Sequence, residues 1–259
     1  MVKGLDIFRA WFEAHADQYI LIGGTAASLA MEDAGLDFRA TKDLDVVLHV
    51  EALTPAFGET FWKFIQAGGY EIRQASDTRK PAFYRFQKPT EQEFPAMVEL
   101  FSRAPDSLRP IGDGGLTPIP FDEAVSSLSA ILLDDVYYAF IMAGRREVNG
   151  LPWVGEDRLI PLKAIAWLDL SARKEQGEHV DAKNIRKHVN DVLRLSQLLT
   201  ATTRIPLDPK IADDMRRFLE AATMDTTLDP KTLGLGNRSV AEILGRLAQA
   251  YELNNGEIS

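Results

Sequence analysis

The feature that most constrains this chain is the stretch from Ile20 to Val50, ILIGGTAASLAMEDAGLDFRATKDLDVVLHV. An apolar run ends in Gly23, Gly24 and Thr25, a helix-forming run follows, and a second apolar run carries Asp43 and Asp45 as D-L-D. The pattern predicts strand, glycine turn, helix, strand. Residues two apart on a strand share a face, so Asp43 and Asp45 stand side by side while Leu44, Val46 and Leu48 face the core. Like charges held together repel, and a cation or a proton is needed to offset them. Divalent magnesium is the expected answer.

Composition narrows the setting. The 259 residues, 46% hydrophobic and 26% charged, suit one large core or two modest ones. No apolar run approaches the roughly 20 residues a bilayer span needs, and charges interrupt the first fifteen positions, unlike a signal peptide. The expectation is a cytoplasmic protein with no membrane partner. With no cysteine, disulfides and thiolate-bound metals are excluded. The four histidines, His15, His49, His179 and His188, lack metal-binding spacing, so any metal should be hard and oxygen-bound. A net charge of -9 argues against a large nucleic-acid-coating surface and leaves room for a local basic patch.

Along the chain, Leu5, Phe8, Trp11 and Phe12 fall at helical spacing over residues 2 to 15. A helix is predicted over residues 57 to 67, stopped by Gly68-Gly69, then strands near Tyr70 to Gln74, Ala82 to Phe86 and Ala96 to Phe101. On the last of these, Met97, Glu99 and Phe101 share a face, which places a third carboxylate in an otherwise apolar strand. RPIGDGGLTPIP reads as an exposed loop, Phe121 to Leu132 as a helix, and Val136 to Met142, with Tyr137, Tyr138 and Phe140, as a further strand. From about Leu159 the pattern is helical alone. Pro161 should open one helix and Gly177 end it. Asp181 should cap the next, whose Ile185, Val189, Val192, Leu195 and Leu199 form an apolar stripe. Two more helices are expected near residues 208 to 222 and 239 to 252. The reading is an α/β domain over residues 1 to 157, a mixed sheet flanked by helices, followed by an α-helical domain over 158 to 259.

A glycine pair or a lone D-x-D says little alone. Their combination with R39-A-T-K-D-L-D45 and an acid on a later strand resembles the nucleotidyltransferase superfamily with the DNA polymerase β-like fold. More narrowly, it is similar to the AbiEii-type branch of type IV toxin–antitoxin and bacterial abortive-infection systems. The segments L162-K-A-I-A-W-L-D-L170 with Arg173, and K187-H-V-N-D-V-L-R-L195, look like that branch's lysine-bearing and aspartate-bearing helices. The resemblance covers roughly residues 18 to 200.

It implies that Asp43, Asp45 and Glu99 bind Mg2+ (or Mn2+) beside a nucleoside triphosphate. Gly23, Gly24 and Thr25 would cradle phosphate, with Arg39 and Thr41 leading into the aspartates. Lys163 would give a positive charge to the triphosphate, and Asp191 would complete the catalytic set. The implied activity is transfer of a nucleoside monophosphate from an NTP to an acceptor hydroxyl. RNA, including tRNA 3′ ends, is the favoured acceptor, and a cognate antitoxin is an expected partner. Other readings stand beside these. Asp191 could form only an i,i+4 surface pair with Lys187, and Lys163 could snorkel from an apolar helix. Lys183, Arg186, Lys187 and Arg194 could meet phosphates or be a solvated face. Trp153 and Trp167 are assigned to packing. The acceptor could instead be a small molecule such as an antibiotic, or a protein hydroxyl, and the fold could serve nucleotide binding without catalysis.

Overall fold

The organising stretch folds as its pattern predicts. After helix α1 (Leu5–Phe12), strand β1 (Tyr19–Ile22) runs into helix α2 (Gly23–Asp33), and the chain returns as strand β2 (Asp43–Leu48). The computed structural model describes residues 2–49, 52–71, 83–101, 131–132 and 134–253. The strand expected over residues 72 to 74, the loop at 109 to 120, nearly all of the helix expected at 121 to 132, and residues 254 to 259 lie outside the described residues.

Helix α3 (Pro55–Gly68) starts where Thr54 caps it, accepting from the Phe57 N–H with Pro55 in its first turn. Strands β3 (Phe83–Gln87) and β4 (Met97–Phe101) follow, then helix α4 (Asp135–Ala143) and the hairpin β5 (Arg145–Val148) and β6 (Leu151–Val154). The six strands form one mixed sheet in the order β3-β4-β2-β1-β6-β5. Strand β2 pairs antiparallel with β1 and parallel with β4, and β6 lies parallel to β1. The hairpin was not foreseen from sequence. Asn149 and Gly150, both at positive φ, form its two-residue turn, and that Asn-Gly pair was the available signal.

One face of the sheet is built from aromatic packing. Phe8 and Phe12 of α1 meet Tyr19 edge-on, Phe57 stacks on Phe61, and Phe61 meets Phe86 of β3. The register puts Leu21, Leu44, Val46 and Leu48 on this side with Tyr19, all buried. The opposite face carries Asp43 and Asp45.

The chain divides into two compact units, Met1–Phe121 with Met142–Gly155, and Asp122–Ile141 with Glu156–Ser259. Beyond Gly155 the described elements are helical: α5 (Glu156–Glu175), α6 (Ala182–Leu195), α7 (Pro209–Met224) and α8 (Val240–Ala250). Asp181 caps α6 as expected, accepting from the Lys183 N–H. Trp167 packs edge-on against Phe218 and Trp153 is buried, both in the packing roles assigned to them.

Two local expectations are corrected. Val136 to Met142, read as a strand, belongs to helix α4. Asp134 Oδ1 accepts from the Val136 and Tyr137 N–H groups, and that cap outweighs the β preference of aromatic and branched residues, which depends on context. Pro161 does not open its helix either: α5 begins at Glu156 and holds Pro161 inside. Glu156 and Asp157 in its first turn suit the positive end of the helix dipole. Proline lacks the N–H that would meet the Asp157 carbonyl. The buried Tyr251 hydroxyl donates to that carbonyl instead, at 3.1 Å, and lies 3.4 Å from the carbonyl of Glu156.

Candidate active site

The site is assembled by strand register. Asp45 lies opposite Ile22 on β1 and beside Glu99 on β4, Asp43 lies beside Met97, and Arg85 of β3 lies opposite Glu99. Because paired residues point the same way, Asp43, Asp45, Glu99 and Arg85 share one face of three adjacent strands. The geometric condition set by the sequence, that the three carboxylates not be split between faces, is met.

The start of α2 closes against this row. Gly23 sits at φ +67°, and a Cβ there would fall 1.7 Å from Asp45 Oδ2. A Cβ on Gly24 would fall 2.7 Å from Thr41 Oγ1 and 3.4 Å from Arg39 Nη2. The glycines are therefore needed because the Asp45 carboxylate and the Thr41 and Arg39 side chains occupy the adjoining space. Gly23, Gly24, Arg39, Thr41 and Asp45, singled out separately in the sequence, come together here. Helix α2 has no side-chain cap and no acid in its first turn, so its N-terminal N–H groups retain their partial positive charge. Asp45 Oδ2 accepts from the Gly24 N–H at 3.4 Å.

Thr25 differs from expectation. It is fully buried, and its hydroxyl donates to the Asp43 main-chain carbonyl at 2.8 Å. The hydroxyl expected to cradle phosphate ties α2 to β2 and fixes the height of Asp43. Arg39 lies over the Phe38 ring at 5.3 Å and reaches the Ala40 carbonyl at 3.4 Å.

Glu99 has a partner that sequence reasoning missed. Its Oε1 accepts from Arg85 Nε at 2.7 Å and lies 2.5 Å from Arg85 Nη2, with both side chains largely buried. The signal was an arginine in the middle of the aromatic run F-Y-R-F, where alternation puts it opposite to Phe86. Among the described residues, no group of three or more His, Cys, Asp or Glu is gathered closely enough to hold a metal ion. The donor chemistry at Asp43 and Asp45 still fits a hard cation, two carboxylates on one strand face. Glu99 does not fit as a third ligand in this arrangement.

Lys163 and Asp191 meet within the helical unit. Lys163 Nζ donates to Asp191 Oδ2 at 2.8 Å, with the lysine side chain 6% exposed and the aspartate 0%. Arg194 Nη1 lies 3.8 Å from Asp191 Oδ1. Both bland alternatives are corrected. Asp191 is not in a surface pair with Lys187, because α6 turns it inward, and Lys163 does not snorkel, because a buried carboxylate holds its ammonium group. Of the four cations on α6, Arg186 is held by Thr227 and Asp225 and Arg194 leans toward Asp191, while Lys183 and Lys187 are exposed.

Comparison with models of known protein families finds no match, and comparison with characterised proteins finds no significant relative. Among the described residues, no helix is long and apolar enough to cross a membrane.

Proposed function

We propose that this chain is a metal-dependent nucleotidyltransferase that moves a nucleoside monophosphate from an NTP to an acceptor hydroxyl. The observation that carries the reading is the meeting of Asp43 and Asp45 with the N-terminus of α2, where Gly23 and Gly24 leave room for nothing larger than hydrogen beside Asp45, Thr41 and Arg39. Anionic oxygen is favoured at an uncapped helix N-terminus, and a guanidinium and a hydroxyl beside it add donors of phosphate-binding type. Asp43 and Asp45 would hold Mg2+ or Mn2+, which when bound supplies charge neutralisation to a triphosphate and a lowered pKa to an acceptor hydroxyl. Thr25 holds the Asp43 main chain at constant height, so both carboxylates keep one geometry through a cycle. Lys163 and Asp191 enter on the resemblance alone, as the reaction's lysine and the carboxylate that holds it.

RNA, including tRNA 3′ ends, is the favoured acceptor, and a toxin role with a cognate antitoxin in a bacterial cytoplasm follows from the same resemblance. The test is incubation with each labelled NTP, Mg2+ and total bacterial RNA, with Asp45→Ala as control. Label entering RNA with wild type alone supports the reading. Label entering a small molecule or a protein changes the acceptor. A second reading, nucleotide binding without transfer, is favoured by one observation: Arg85 already compensates Glu99. Magnesium-dependent NTP binding with no transfer to any acceptor would select it.

A further inference from the structure

The sequence argument for metal was electrostatic: clustered carboxylates need a cation. The fold supplies one of its own. Arg85, Glu99 and Asp45 stand in a row across β3, β4 and β2, and a single Glu99 oxygen takes both contacts from Arg85, with the side chains 15% and 13% exposed. A charged, largely buried and paired carboxylate cannot turn toward a metal without leaving the guanidinium uncompensated in poorly solvated surroundings. Like charges side by side on neighbouring strands repel, and Arg85 removes that repulsion between Glu99 and Asp45.

We propose that Glu99 is the anchor of Arg85 and no metal ligand, so that the site takes one divalent cation, on Asp43 and Asp45. This deepens the nucleotidyltransferase reading and rests on it. Pairing of Glu99 with Arg85 leaves the two β2 carboxylates as the negative charges of the strand rows, a charge that one divalent ion balances. The absence of any three-acid grouping among the described residues agrees with this count. Arg85 is then a positioning residue: it keeps Glu99 occupied and sets the number of ions.

The experiment is Mn2+ binding to the full chain, followed by electron paramagnetic resonance, first with Mn2+ alone and then with a non-hydrolysable NTP analogue. Wild type should bind one Mn2+ per chain beyond that carried by free nucleotide. Asp45→Asn should weaken binding at least tenfold, whereas Glu99→Gln should stay within threefold of wild type. Because Glu99→Gln leaves Arg85 without its anion and could impair folding, the double variant Arg85→Met, Glu99→Gln removes both charges together and should also retain the ion. Arg85→Met alone frees Glu99 and should tighten Mn2+ binding or add a second ion. Loss of Mn2+ from the double variant as deep as in Asp45→Asn, or two ions in wild type, would overturn the inference and leave the parent reading intact. No Mn2+ bound by wild type in either condition would overturn both.

Discussion

Removing one member of the Lys163 and Asp191 pair should cost far more than removing both. At 2.8 Å and an effective dielectric of about 20, the attraction is about 6 kcal/mol. Taking the two charges out of water costs several kcal/mol per ion, so the net contribution of the intact pair is small. A single truncation leaves a buried charge without that attraction, and Lys163→Met or Asp191→Leu should each lower unfolding free energy by about 3–5 kcal/mol. Arg194 offers Asp191 little relief in Lys163→Met, being 3.8 Å away and 21% exposed. The double variant Lys163→Met, Asp191→Leu should recover to within about 1–2 kcal/mol of wild type, giving a strongly non-additive cycle. Urea unfolding followed by both circular dichroism and tryptophan fluorescence measures this, the two probes testing for coincident transitions. Single variants within about 1 kcal/mol of wild type, or a double variant as unstable as the sum of the singles, would refute the reasoning.

Gly23→Ala should destabilise the sheet unit by more than about 1 kcal/mol and abolish thermal stabilisation by Mg2+ and NTP, since its Cβ meets Asp45 Oδ2 at a positive φ; an unchanged thermal shift would count against the site. Tyr251→Phe keeps the ring and removes the donor to Asp157, and should cost about 1–3 kcal/mol in urea unfolding. In acid, Asp134 and Glu242 matter. The Lys210 hydrogen bond holds the Asp134 carboxyl below its usual range, and the Ser239 N–H does the same for Glu242. Their stabilisation is therefore present above the unfolded carboxylate values of about 4 and lost as pH falls through the lower folded ones. The gap in urea midpoint between wild type and Asp134→Asn should accordingly close below about pH 4.

What could be read from sequence was what repeats with local period. Alternation along β2 placed Asp43 and Asp45 on one face and Leu44, Val46 and Leu48 on the other, because a strand's side-chain period is two whatever its partners. The role of Thr25 was not legible, since a hydroxyl beside two glycines looks the same whether it meets phosphate or the carbonyl of Asp43. Arg85 was missed because its meaning lies in cross-strand register, which a single strand does not reveal. Lys163 and Asp191 were each picked out, yet their pairing depends on how α5 and α6 pack. The error at Val136 to Met142 arose from weighing aromatic residues over the Asp134 cap that precedes them.

Tyr251 and the Asp157 carbonyl are 94 residues apart, and this gives the helical unit a direction in time. On the ribosome, the turn interrupted by Pro161 emerges early, and the hydroxyl that completes it is made near the end of the chain. At about 5–20 residues per second, α5 waits several seconds for its missing donor. A stalled or shortened product ending before Tyr251 would hold Lys163 and Asp191 on a helix whose first turn is unfinished, so the chain's last helix acts as a check that synthesis has run its course.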